Sequence, residues 1–364
     1  VSMGLTAGIV GLPNVGKSTL FNAVTKACAL VANYPFATIE PNVGLVEVRD
    51  ERLERLAEAV KQDNIIRASF SFTDIAGLVK GASRGEGLGN QFLAHIREVD
   101  CICHVVRCFE DPDIVHVSGM VDPVADIEIV NLELMLADLE IINRRLPRIE
   151  KKAILKVEPD LEAEYRVLLK IKEKLQEGNR NFGLFPEEVL RVRHYNFLTL
   201  KPMIYVCNVS EEELGGNRHV EAVRRHAEAE GSRVVVISGK IESELAELDE
   251  ESRELFLGEL GLAESGLDKL TKAAYDLLGL ATFFTHNEKE VRAWTFRRGM
   301  KAPECAGLIH SDFERGFIRA EVTAFADFQK YGNLQKAKEA GKMRSEGRDY
   351  AMQDGDIVFF RFNV

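Results

Sequence analysis

The sequence predicts an α/β protein whose main domain is interrupted by an antiparallel helical arm and followed by a small mixed β-sheet unit. Three observations carry that expectation. Short apolar runs alternate with amphipathic helical stretches over 5–107 and again over 203–279. Between them, from Ile127, apolar residues recur at alternating spacings of three and four. Beyond Leu280 the apolar runs are short and separated by turns.

The first element is Ala7-Gly8-Ile9-Val10, expected within a buried strand over 5–10. It leads into Gly11-Leu12-Pro13-Asn14-Val15-Gly16-Lys17-Ser18-Thr19 and then a helix over 17–27. The stretch from Gly11 to Ser18 satisfies G-x-x-x-x-G-K-S in full, with the strand before it and the helix after it. Its glycines let the backbone wrap a phosphate, with N–H groups and the helix N-terminus facing the anion. Lys17 supplies a charge for the β- and γ-phosphates, and the Ser18 hydroxyl is placed to ligate Mg²⁺. This is the signature of a P-loop NTPase domain.

Residues 28–42 follow as a loop containing Thr38, twenty residues beyond Ser18. A hydroxyl at that distance completes the Mg²⁺ shell when a γ-phosphate is present. Strands are expected over Val43–Val48 and 68–72, with an amphipathic helix through Leu53, Leu56 and Val60 between them. The second strand ends in Thr73-Asp74-Ile75-Ala76-Gly77. In this D-x-x-G, Asp74 can hold Mg²⁺ through water and the Gly77 N–H can meet the γ-phosphate. Residues 78–89 carry four glycines, the composition of a switch loop. Leu78 stands where Ras-like GTPases place a water-orienting glutamine, and it cannot do that task. A helix through Phe92, Ile96 and Val99 precedes a buried strand over 101–106, which runs into Arg107-Cys108-Phe109-Glu110. His116 lies in the loop 110–123.

The arm is expected as two helices of roughly 20 residues, each about 30 Å long. Its first stripe is Ile129, Leu132, Leu136, Leu139, Asn143 and Leu146; its second is Leu161, Tyr165, Leu168, Lys172 and Leu175, with Pro159 in the connector. Basic residues gather near its turn: Arg144, Arg145, Arg148, Lys151, Lys152 and Lys156, against Glu150. They read either as a solvated charged surface or as a docking site for RNA or an acidic partner. Residues 178–185 are a linker, and Pro186-Glu187-Glu188 opens a returning helix. The strand pattern resumes over Met203–Asn208 and 234–237, with a helix over 219–229 between, and the α/β domain closes with a helix over 266–279. In the last unit, 291–296, the vicinity of Gly307, Phe317–Ala324 and 357–362 are expected as strands. Its basic run (Lys330, Lys336, Lys338, Lys342, Arg344 and Arg348) again reads as solvated face or nucleic-acid contact.

The totals bound the function. The chain has 364 residues, 46% hydrophobic and 29% charged, and carries a formal charge of −11. That balance argues against non-specific nucleic-acid binding by the whole surface, while local basic patches stay open to it. No run approaches a membrane span and no signal peptide is expected. Cys101-x-Cys103 with Cys108 is a weak metal signal; reduced, buried thiols are the plainer reading of the six cysteines.

The base is read at the end of the strand Met203–Asn208. GTPase-type P-loop domains carry N-K-x-D there, the aspartate accepting two hydrogen bonds from guanine. Here the stretch is Asn208-Val209-Ser210-Glu211. A carboxylate displaced by one methylene loses that bidentate geometry. Adenine offers N6–H₂ and N1 instead, which Asn208 and backbone groups at Val209 can meet. The residues therefore predict ATP, with a GTPase of relaxed motif as the alternative.

The stretches 11–19 (GLPNVGKST), 33–42 (NYPFATIEPN), 74–89 (DIAGLVKGASRGEGLG), 208–211 (NVSE) and 354–364 (DGDIVFFRFNV) resemble the YchF/Obg-like ATPase family, and the likeness runs through essentially the whole chain. The resemblance implies a P-loop ATPase domain over 3–124 and 198–280, a coiled-coil insertion over 125–197, and a C-terminal α+β TGS domain of β-grasp type over 281–364. It implies an ATPase that associates with the ribosome, through the large subunit or the whole particle, and with RNA through the basic arm and the TGS domain. By motif match Asn14, Val15, Gly16, Lys17, Ser18 and Thr19 bind the phosphates, and Ser18 and Thr38 ligate Mg²⁺. Asn14 matches a loop asparagine linked with K⁺. Phe109 packs on adenine, Asn208 and Val209 meet its edge, and His116 matches a mobile-loop histidine implicated in hydrolysis beside Lys17, Asp74 and Gly77. A cytoplasmic monomer is expected. Two rival readings stay beside the ATP-driven switch: a ribosome- or RNA-binding module with structural nucleotide, and an Obg-type GTPase.

Overall fold

The computed structural model of the protein describes residues 5–30, 42–75, 88–111 and 120–363, with no account of the side chains of 27–30 and 88–90. These fall into two compact units, Leu5–Gly44 with Ser71–Leu270, and Leu45–Phe70 with Thr271–Val364.

The chain begins with β1 (Thr6–Val10), α1 (Lys17–Leu30), β2 (Val43–Val48), α2 (Glu51–Val60), β3 (Ile65–Ile66) and β4 (Ala68–Asp74). Then come α3 (Leu88–Glu98), β5 (Cys101–Arg107), α4 (Pro123–Ile154), α5 (Pro159–Gln176), α6 (Pro186–Val192), β6 (Met203–Asn208), α7 (Arg218–Glu230) and β7 (Arg233–Ile237). Helices α8 (Gly239–Leu245), α9 (Glu250–Glu259) and α10 (Gly266–Leu277) follow. The first sheet has the order β2-β4-β1-β5-β6-β7. Strands β4, β1, β5, β6 and β7 pair in parallel. Every residue of β5 and β6 is buried. That is why both strands read as unbroken apolar runs: helices cover both faces of a parallel sheet. His104 and the terminal Arg107 are the polar exceptions in β5; burial lowers the His104 pKa to about 3, so the ring is neutral.

Helix α4 opens on Asp122, whose side chain accepts from the Ala125 N–H, with Pro123 in the first turn. It is 32 residues long, not roughly 20. Its buried stripe also differs from the expected one. Leu132 is 53% exposed, Leu136 40%, and Asn143 is exposed, whereas Ile127, Val130, Leu134, Ile142, Leu146 and Ile149 are buried. Helix α4 packs on β5 and α7 as well as on α5, so several neighbours set its buried face and a single seam does not. On α5 the expectation holds at Leu168 and Leu175, but Ile171 takes the buried place and Lys172 stays at the edge. Pro159 sits in the first turn of α5. Polar groups fasten the root of this hairpin. Asp138, buried on α4, accepts from the Leu198 and Thr199 N–H groups at 3.1 and 2.8 Å and from the Thr199 hydroxyl at 2.7 Å. Buried Arg180 donates to Asn131 and Glu230 at 3.5 and 3.4 Å and to two backbone carbonyls.

The other unit ends the chain with β8 (Leu280–His286), β9 (Val291–Arg297), α11 (Ala302–Ile309), α12 (Ser311–Arg315), β10 (Phe317–Ala324), α13 (Phe325–Tyr331), α14 (Leu334–Glu339), β11 (Arg344–Glu346) and β12 (Asp356–Phe362). Its sheet order is β11-β10-β12-β8-β9-β3. Phe283, Phe296, Phe317, Val322, Val358 and Phe360 fill its core with the helix residues Cys305 and Ala306. Gly307 lies inside α11, not in a strand. The run Ala302–Ile309 has the length of a strand and the composition of a buried helix, which periodicity alone does not separate; Pro303 in its first turn and the Lys301–Glu304 capping contact decide for helix.

Candidate nucleotide site

The expected phosphate and base residues gather at the carboxyl ends of β1, β4, β5 and β6, where open parallel sheets bind ligands. Gly11 follows β1 directly, and a Cβ there would lie 2.9 Å from the Val105 carbonyl oxygen. Asn14 adopts φ 64° and Gly16 φ 93°, so the loop turns twice through the left-handed region before α1 begins at Lys17. A Cβ on Gly16 would come within 2.1 Å of Asn208 Nδ2. The side chains of Asn14, Ser18 and Thr19 are exposed around the loop, and Val15 is buried beneath it.

Register brings the acidic partner in. Asp74, the last residue of β4, lies opposite Ile9 in β1. Its carboxylate accepts a hydrogen bond from Lys17 Nζ, forming an ion pair at the mouth of the loop. The donor set suits Mg²⁺: one hydroxyl, Ser18, and one carboxylate, Asp74, leave the remaining positions to phosphate and water oxygens. Among the described residues no group of three or more His, Cys, Asp or Glu side chains forms a separate metal cluster. Thr38, Gly77, Leu78 and His116 lie outside the described residues.

Asn208, at the end of β6, is tied to the loop 11–16. Its Nδ2 donates to the Val15 carbonyl at 2.9 Å, and its Oδ1 accepts from the Gly239 N–H at 2.9 Å. One amide thereby holds the loop, the end of β6 and the start of α8 together, with one donor and one acceptor site left. The Val209 N–H donates to the Ile237 carbonyl at 2.9 Å, so its amide is already engaged. Glu211, in place of the guanine-binding aspartate, pairs with Lys240 at 2.6 Å.

Beside Asn208, in register on β5, is Arg107, only 1% exposed. Its guanidinium donates to the Phe109 and Asp111 carbonyls at 3.1 Å each and lies 4.7 Å from the centre of the half-buried Phe109 ring. Arg107 therefore sets the chain that presents Phe109. The Cys108 thiol is held far above its usual pKa by its hydrogen bond to Cys207 and by burial, which keeps it protonated. Cys101, Cys103, Cys108, Cys207 and Cys305 are all free and buried. Gly239, Lys240 and Arg107 were not foreseen as site residues. Their signal was present in Ser238-Gly239-Lys240 directly after a strand, and in an arginine closing a strand that is otherwise mostly apolar.

Comparison with known proteins gives a consistent picture. Residues 6–144 match the family model described as 50S ribosome-binding GTPase, and residues 280–363 match YchF-GTPase_C, described as a protein of unknown function. The chain is 58% identical to the ribosome-binding ATPase YchF of Bacillus subtilis (strain 168) and 53% identical to that of Escherichia coli O157:H7, each covering 100% of both chains. Among solved structures, the YchF GTPase of Schizosaccharomyces pombe superposes with a TM-score of 0.87 at 37% identity, covering 98% of both chains. A GTP-binding protein from Pyrococcus horikoshii OT3 shares the fold at TM-score 0.61 and 19% identity.

Proposed function

The chain belongs to the YchF family, and from that premise we propose that it is a Mg²⁺-dependent ATPase that works as a nucleotide-controlled switch on the ribosome. The names of its relatives differ on the nucleotide, ATPase for some and GTPase for others. The observation that carries the adenine reading is Glu211. It stands in place of the aspartate that guanine requires, is one methylene longer, and is bound to Lys240. A site that recognises a base through paired polar contacts discriminates steeply when one is lost. Phe109 supplies a ring for the adenine face, and Asn208 with Val209 supplies the edge.

In this reading Asn14, Val15, Gly16, Lys17, Ser18 and Thr19 hold the phosphates, and Lys17 exchanges Asp74 for the β- and γ-phosphate oxygens. Ser18, Thr38 and water-bridged Asp74 would hold Mg²⁺, which neutralises charge on the transferred phosphoryl group. Asn14 is the candidate K⁺ ligand, Gly77 the γ-phosphate contact, and His116 the loop histidine of hydrolysis. With Leu78 in the glutamine position, unassisted turnover is expected at ~10⁻⁴ to 10⁻² s⁻¹. The catalytic domain takes 3–124 and 198–280, the coiled-coil arm 125–197, and the TGS domain 281–364; arm and TGS domain carry the ribosome and RNA contacts of a cytoplasmic monomer.

Co-sedimentation with ribosomes in ATP, ADP and a non-hydrolysable ATP analogue tests the switch. The proposal expects different bound fractions in the ATP and ADP states. Equal binding in all states would leave a docking module with an incidental nucleotide.

A further inference from the structure

The turn of the α4–α5 hairpin is built unlike an ordinary solvated turn. Helix α4 ends at Ile154 with Leu155 as its C-cap. The Lys156 N–H then donates to the Ala153 carbonyl and the Val157 N–H to the Lys152 carbonyl, at 3.1 Å each. With Lys156 at φ 50° this is a Schellman motif. Such a motif usually covers its last apolar residue with another one turn back. Here the positions one turn back are Lys151 and Lys152, so Val157 is left in solvent. Ile154, Leu155 and Val157 are 64%, 74% and 62% exposed. Three large aliphatic side chains within four residues of a tip form an apolar patch that no described residue covers.

The charges around it are uneven. Arg144, Arg145 and Lys152 are bound to Glu140, Glu164 and Glu158. Arg148, Lys151 and Lys156 are exposed and make no ion pair among the described residues. A chain with formal charge −11 thus keeps three cations, without an ion pair among the described residues, next to an exposed aliphatic cluster. No aromatic residue occurs between 144 and 160. Unpaired RNA bases are gripped by stacking on aromatic rings, and phosphates by cations alone. Aliphatic anchors ringed by cations instead complement an apolar pocket rimmed by carboxylates, which is a protein surface.

We propose that the hairpin tip docks on a protein component of the ribosome through Ile154, Leu155 and Val157 inserted into an apolar pocket, with Arg148, Lys151 and Lys156 facing acidic residues at its rim. The inference rests on the ribosome reading above and names the surface and the chemistry of the contact. Two variants separate protein from RNA docking: Leu155→Ser with Val157→Ser, and Lys151→Gln with Lys156→Gln. All four side chains stand outside the core, and unchanged melting and ATP hydrolysis check that the fold is intact. Binding to purified ribosomes is measured by sedimentation across a salt series, and a photo-reactive phenylalanine analogue placed at Leu155 captures the neighbour. The expected result is a loss of about tenfold for the serine pair with its salt slope kept, a loss of roughly threefold with a shallower slope for the glutamine pair, and an adduct on a ribosomal protein. Unchanged binding by the serine pair, or an adduct on ribosomal RNA, would overturn the proposal while leaving the ribosome reading intact. Failure of the unaltered protein to bind ribosomes in any nucleotide state would defeat that reading and this inference with it.

Discussion

The phosphate loop and the α4–α5 hairpin are held by opposite means. In the loop the backbone carries the shape: two left-handed residues, a glycine with no room for a methyl group, and one amide that ties three segments together. In the hairpin the side chains carry it. An apolar seam of Ile142, Leu146, Ile149, Val167, Leu168 and Ile171 is clamped at the root by Asp138 and Arg180 and left open at the tip. The first arrangement tolerates almost no substitution, because a backbone cannot repack around an added atom. The second is graded: large near the seam, small at the turn. A nucleotide site needs the former and a docking surface can use the latter.

The contrast can be broken at several points. Gly16→Ala should have the largest effect, about 4 kcal/mol of lost stability with loss of ATP binding, because the new methyl group strikes the Asn208 amide and the backbone sits at positive φ. Denaturant unfolding and nucleotide titration read both; a stable, nucleotide-competent variant would show the loop to be as adaptable as the hairpin. On the hairpin side, Ile171→Ala should cost about 3 kcal/mol, whereas Leu132→Ala, on the same bundle but exposed, should cost under about 0.5 kcal/mol. Similar melting shifts for the two would restore the seam expected from heptad spacing.

A third prediction sharpens the loop side. Helix α8 packs against α1, and its buried Glu242 accepts the Gly266 and Leu267 N–H groups at 2.8 and 3.2 Å. Burial pushes this carboxyl up to about 6 despite those bonds. A raised acid binds its proton more tightly in the folded state, so its contribution is fully present below about pH 4.3 and is lost as pH rises through 6, about 2 kcal/mol in all. Glu242→Gln should flatten that part of the urea midpoint against pH; an unchanged profile would assign the slope elsewhere. The smallest effect is expected at the tip, where Leu155→Ser should change stability by less than about 0.5 kcal/mol.

The same contrast explains what could be read from the sequence. The loop was legible from Gly11 to Ser18, and Asp74 with it, because a backbone cradle demands particular residue types at fixed spacing. The strands Val43–Val48 and Met203–Asn208 were legible to the residue from their apolar runs. The seam of α4 was not. A helix that serves several neighbours hides its register, and spacing alone placed Leu132 and Leu136 inside. Gly239 and Lys240 escaped notice because their partners, Asn208 and Glu211, are distant in sequence and meet them only once β6 and β7 pair. Gly307 was misplaced for a simpler reason, an apolar stretch too short for its period to separate strand from helix.

Titration of the purified protein with fluorescent ATP and GTP, in Mg²⁺ and K⁺, tests the central claim most directly. With Glu211 occupied by Lys240 and no aspartate for guanine, the account predicts that ATP binds more tightly than GTP. Tighter binding of GTP would contradict it.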